Sequence, residues 1–121
     1  MISIPLNDIL RAAKLFPIVP NWGLLDGGAC ACLRPGCEYP GKHPALTNGF
    51  HGASQDEAVI RRWHHATGGN MNPGFRLGAG ICALDTDPRN GGLENYERLI
   101  AQYGPMPLTP KVITGRGDGG F

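Results

Sequence analysis

From Asn21 to Gly52 roughly thirty residues carry neither a helical nor a strand period, and glycine, proline and cysteine dominate them. A structureless stretch of that length is uncommon inside a domain unless something staples it or it serves a function. Within it Cys30, Cys32, Cys37 and His43 bring three sulfurs and an imidazole close together in sequence. That is a full tetrahedral donor set for zinc, and Pro35-Gly36 and Pro40-Gly41 supply the turns needed to wrap the chain round an ion. The spacing differs from the commonest finger patterns. Disulfides or idle thiols are the alternatives, and disulfides suit exported proteins. His51 is a second candidate for the fourth ligand, although His43 is nearer and follows a turn. Cys82 sits in an apolar run and reads as a small core residue.

Periodic segments flank this stretch. Leu6, Ile9, Leu10 and Ala13 have helical spacing and predict a short helix over 5–14, with Pro5 placed where its missing N–H costs nothing. Phe16 to Pro20 reads as an edge strand or the start of one, because of its prolines. Ser54-Gln55-Asp56-Glu57 fits a capping box, and the helix it opens should run to about Thr67-Gly68-Gly69. Two short strands are predicted at Phe75–Gly78 and Gly80–Asp85. Leu93, Tyr96, Leu99, Ile100 and Tyr103 mark a helix stopped by Gly104-Pro105. Lys111–Thr114 reads as a further strand. The order implies an α/β or α+β layer, a mixed sheet with flanking helices, over one domain spanning residues 1–121 with its zinc-binding loop at about 21–52.

The totals exclude little beyond this. A chain of 121 residues holds a single core. No apolar run approaches the roughly 18 residues of a membrane helix, and MISIPLNDIL lacks the layout of a signal peptide, so a soluble, cytoplasmic protein is expected. The net charge is +1, which alone does not announce a nucleic-acid binder. The 19 glycines and 11 prolines fall between periodic segments and read as turns rather than disorder.

Two carboxylates, Asp85 and Asp87, stand at the end of the apolar run Gly80–Leu84. On a strand, residues two apart share a face, and two like charges there are costly to ionise without a cation or compensating hydrogen bonds. Hard oxygen donors of this kind suit magnesium or manganese with substrate phosphates completing the shell. The plainer alternative is a solvated strand end at which Asp87-Pro88 opens a turn. A calcium loop counted from Asp85 fails, since Asn90 stands where glycine is needed and Tyr96 where glutamate is needed. A haloacid-dehalogenase-like phosphatase motif fails at Arg89.

Taken in order, Gly41-Lys42-His43-Pro44, Gly49-Phe50 before the Ser54 helix, Trp63, the Gly78 to Gly80 turn, Leu84-Asp85-Thr86-Asp87-Pro88-Arg89-Asn90-Gly91-Gly92, and Thr114-Gly115 leading into Gly119-Gly120 form a specific set. On these residues nearly the whole chain resembles the amino-terminal part of the bifunctional primase-polymerase domain. That family is a branch of the archaeo-eukaryotic primase superfamily found in replication proteins of plasmids, phages and prophages.

The resemblance implies a nucleotidyltransferase that adds nucleotides on a DNA template and primer from nucleoside triphosphates. It matches Asp85 and Asp87 to the first catalytic motif as magnesium or manganese ligands. Some members carry a cysteine-histidine zinc insertion at the place of Cys30, Cys32, Cys37 and His43. Lys42 and Arg76 are candidate phosphate contacts, and a replicative helicase domain or protein is a candidate partner. The family's nucleotide-contacting histidine and third acidic ligand would follow the glycine-rich turn near Gly119-Gly120. The polypeptide is therefore expected to be a truncated part, incomplete at its carboxyl end and inactive alone. A non-catalytic zinc-stapled DNA-binding module is the rival reading. Arg116-Gly117-Asp118 reads as coincidence, and His64-His65 as a solvated helix end.

Overall fold

The computed structural model describes residues 3–78 and 80–113. The chain divides into two units, Met1–Gly78 and Ala79–Phe121. In the first, helix α1 spans Leu6–Ala13. The Pro5 carbonyl accepts from the amides of Asp8 and Ile9, at 3.0 and 3.3 Å, which starts the helix without a side-chain cap. Ile9 and Ala13, one turn apart, form its buried stripe.

Strand β1, Ile18–Trp22, pairs antiparallel with β2, Met71–Phe75, in a register that sets Ile18 opposite Phe75 and Pro20 opposite Pro73. Prolines survive there because of how the ladder alternates. Arg76 N–H donates to the Pro17 carbonyl and Gly23 N–H to the Asn70 carbonyl, both at 3.0 Å, so the odd-numbered residues of β1 face β2. The even-numbered ones face the other way. Ile18 and Ser54 exchange two backbone bonds at 2.8 and 3.0 Å, the Pro20 carbonyl accepts from Ala45 N–H at 2.7 Å, and Trp22 N–H donates to the His43 carbonyl at 3.0 Å. At the Pro20–Pro73 pair, therefore, neither missing N–H is needed between the strands. Phe16–Pro20 is thus not an edge segment: β1 is bonded along both sides.

Helix α2, Glu57–Ala66, is capped by Asp56, whose Oδ1 accepts from Val59 N–H at 3.1 Å. The predicted capping box at Ser54 is displaced by two residues. Ser54 is held extended by its bridge to Ile18, and its hydroxyl accepts from Asp56 N–H at 3.0 Å instead. Ile9, Ala13, Ile18, Ile60 and Met71 form the core, with Leu6, Leu10 and Trp63 packed against it.

In the second unit Asp87 caps a 3-10 turn at Pro88–Asn90, and α3 follows over Gly92–Tyr103. Gly91 has φ +70°, and a Cβ on Gly92 would lie 2.5 Å from the Asp87 amide nitrogen, so the Gly91-Gly92 pair is required by the turn.

The sheet of the described residues is two-stranded and antiparallel, which corrects the mixed sheet expected from the sequence. The strand predicted at Phe75–Gly78 begins four residues earlier, at Met71, because cross-strand pairing overrides the poor strand propensity of Asn72-Pro73-Gly74. Gly80–Asp85 forms no strand, and in 111–113 only Ile113 bridges, while Thr114 lies outside the described residues. An apolar run without a neighbouring ladder to satisfy its backbone does not make a strand. Cys82 is accordingly exposed rather than buried in a core.

Candidate metal centre

The irregular segment is held by Asn70, just before β2, by Asn72 within it, and by the side of β1 that faces away from β2. Buried Asn70 donates through Nδ2 to the Leu24 carbonyl at 3.0 Å, and Asn72 Nδ2 donates to the Gly41 carbonyl at 2.7 Å. An isolated bridge between Leu24 and Cys30 folds the loop back on itself, and another between Asn21 and Pro44 returns it to β1. The bridge at Asn21–Pro44 puts His43 beside Trp22.

This scaffold gathers Cys30 Sγ, Cys32 Sγ, Cys37 Sγ and a ring nitrogen of His43 within 4.8 Å of one another. Cys30 Sγ lies 3.3 Å from His43 Nε2. Tetrahedral zinc with Zn–S bonds of about 2.3 Å requires ligand atoms about 3.8 Å apart, so the four donors close on an ion with movements of an ångström or less. The histidine grouped with the three sulfurs is His43, and His51 instead stacks its ring against Phe50 at 4.2 Å.

The thiols differ in their proton affinity. Burial pushes the Cys30 thiol up, yet the Gly41 amide at 3.4 Å, the Cys32 amide and thiol, and His43 outweigh burial and bring it down to about 6. Desolvation raises the Cys37 thiol, the Tyr39 amide opposes this, and the neighbouring sulfurs of Cys32 and Cys30 add to the rise. A cluster with one thiolate already favoured and N–H groups aimed at sulfur is a soft-metal site in its chemistry.

Between Cys32 and Arg34 the chain reverses at Leu33, whose φ of +57° is the only positive value at a non-glycine position among the described residues. The left-handed region costs a branched residue about 1–2 kcal/mol. Gly41 is required differently. Its φ is +70°, and a Cβ there would lie 2.8 Å from Leu24 Cγ.

The carboxylates of Leu84–Pro88 lie in the second unit. Asp85 is exposed on irregular backbone. Asp87 is half-buried, and Oδ1 accepts from Arg89 N at 3.0 Å and Arg89 Nε at 3.1 Å, while Oδ2 accepts from Arg89 Nη2 at 2.8 Å. Lys42 and Arg76 are both exposed. Sequence reasoning missed Asn72, whose side chain bonds the carbonyl of the residue whose amide bonds Cys30. Asn72-Pro73-Gly74 reads locally as a turn, so no local signal marked it.

The family model for the bifunctional DNA primase/polymerase, N-terminal domain matches residues 9–121. The chain belongs to that family. No curated protein and no solved structure matches it. The primase/polymerase match spans both the cysteine-histidine cluster and the Asp85-Thr86-Asp87 segment. No helix among the described residues is long and apolar enough to cross a membrane.

Proposed function

We propose that this chain serves template-directed nucleotide addition in the replication of a plasmid, phage or prophage, as part of a DNA primase/polymerase. In this reading Asp85 and Asp87 ligate magnesium or manganese, and Cys30, Cys32, Cys37 and His43 hold structural zinc. The family match over residues 9–121 is the observation that carries it. Two hard oxygen donors two residues apart suit such a cation, and the Cys3His set suits zinc. Magnesium or manganese, when bound, supplies neutralisation of charge developing on a triphosphate.

The chain's own residues do the rest. Asp85 and Asp87 offer the oxygens, Arg89 orients the Asp87 carboxylate until a cation replaces it, and Lys42 or Arg76 is the candidate phosphate contact. The zinc-stapled loop gives β1 a fixed second edge. DNA template, primer and nucleoside triphosphates are the partners, with a replicative helicase as a further one.

A non-catalytic, zinc-stapled DNA-binding module is the second reading, favoured by the engagement of Asp87 with Arg89. Manganese titration in the presence of a nucleoside triphosphate, followed by electron paramagnetic resonance, separates the two. Asp85→Asn with Asp87→Asn is expected to abolish that binding, and primer synthesis by the protein carrying this chain, while leaving about one zinc per chain. Unchanged binding or synthesis in the double variant overturns the catalytic assignment.

A further inference from the structure

Beside the metal cluster lies an open recess of about 400 Å³, lined among others by Arg34, Cys37, Glu38, Tyr39 and His43. Tyr39 keeps 64% of its surface exposed although its own amide bonds the Cys37 sulfur and its carbonyl accepts from Lys42 N–H at 3.1 Å. Its backbone is anchored and its ring is left in solvent. Arg34 is exposed and has no carboxylate partner among the described residues. Leu33, 76% exposed in its left-handed turn, immediately precedes Arg34. An exposed ring on an anchored backbone, lining a recess next to a strained turn, serves stability poorly and serves contact well.

We infer that this recess is a contact site for single-stranded nucleic acid, with one base stacked on Tyr39 and one phosphate met by Arg34. The inference rests on the nucleic-acid reading above. An aromatic face held on a metal-pinned loop is a stacking platform that accepts any base and loses little side-chain freedom on binding. The charges decide between stacking and a general phosphate track. Glu38 faces the same recess as Arg34, so cation and carboxylate offset one another there and room remains for a single phosphate contact. Stacking therefore supplies most of the affinity and the salt dependence is shallow. A double-stranded ligand, with its bases stacked inside, cannot use Tyr39 in this way.

The test is fluorescence anisotropy of a labelled single-stranded oligonucleotide against the zinc-loaded 121-residue chain. Tyr39→Ala is expected to weaken binding roughly tenfold and Tyr39→Phe to retain it, since the ring and not the hydroxyl stacks. Arg34→Gln should lower the slope of log affinity against log salt by about 0.7, one phosphate's share for a single strand. Zinc content measured on each variant separates loss of contact from loss of the loop. Wild-type binding that survives Tyr39→Ala undiminished overturns the site, as does absence of single-strand binding by the wild-type chain. Neither result bears on Asp85 and Asp87, whose manganese and triphosphate binding reports the catalytic reading separately.

Discussion

Asn72 Nδ2 donates to the Gly41 carbonyl at 2.7 Å, and the amide of the same Gly41 donates to Cys30 Sγ at 3.4 Å. A strand side chain thus holds, through its carbonyl, the residue whose amide bonds the Cys30 sulfur. Outer-shell partners of this kind are worth about 10–100-fold in metal affinity. Asn72→Ala is expected to weaken zinc binding by at least about tenfold in a chelator competition, with helix content unchanged by circular dichroism. An unaltered zinc affinity would show that Gly41 is held by its turn alone.

Metal removal should loosen one side of β1 and spare the other. The loop side depends on Trp22 N–H to His43 and Ala45 N–H to Pro20, whereas the β2 side and the core of Ile9, Ile18 and Ile60 depend on packing. Metal binding that organises a loop contributes its free energy to that loop's folding. After chelation, hydrogen exchange at the Trp22 and Ala45 amides is expected to accelerate strongly. Exchange at Ile60, whose N–H donates within α2 to the Asp56 carbonyl at 3.0 Å, should change far less. Equal acceleration at all three sites would mean that zinc supports the whole unit.

Acid should release the metal before it unfolds α1 and α2. For the metal-free chain the Cys30 thiol is lowered from 9.0 to about 6, so its contribution to stability is complete above 9.0 and gone once pH has fallen through about 6. Cys37, with its thiol raised, acts oppositely, stabilising below its ordinary value and losing that contribution as pH rises through the raised one. Zinc needs both sulfurs deprotonated, and Cys37 holds its proton more tightly. Zinc affinity measured by competition is therefore expected to fall steeply from pH 8 towards roughly pH 6, in the range where thiols take up protons. A flat profile would remove Cys37 from the ligand set.

Both the cluster and the helices were legible in the residues themselves, because ligand chemistry and helical spacing are local signals. Cys30, Cys32, Cys37 and His43 converge as their donor types suggested, and α1 and α3 lie where their apolar spacing put them. What escaped was decided by distant pairing. Nothing local tells Met71-Asn72-Pro73-Gly74-Phe75 from a turn, since the register against Pro20 is what makes Pro73 tolerable. Gly80–Asp85 had the apolar run and lacked a ladder among the described residues. At α2 two capping residues competed, and the bridge from Ile18 removed Ser54 from the contest. Asp56→Ala is accordingly expected to cost about 1 kcal/mol in a denaturant titration, and Ser54→Ala clearly less.

The last prediction concerns Arg89, which meets both Asp87 oxygens at 3.1 and 2.8 Å. A metal ion approaching Asp87 must displace the guanidinium but not the Arg89 amide, which belongs to the cap of the 3-10 turn. If Asp87 ligates a metal as proposed, Arg89 opposes that binding in the free protein, by an amount set by the strength of an ion pair whose arginine is largely in solvent. Such pairs are worth up to about 1 kcal/mol, which corresponds to no more than about fivefold in affinity. Arg89→Gln is expected to tighten manganese binding by up to that factor in the absence of nucleotide, read by paramagnetic resonance at low salt. The gain should shrink as salt is added, because the pair it removes is itself screened. With a triphosphate present the sign should reverse, since the displaced guanidinium is then available to phosphate and its loss weakens the ternary complex. Tighter manganese binding with and without nucleotide would confine Arg89 to the role of a counter-ion for Asp87.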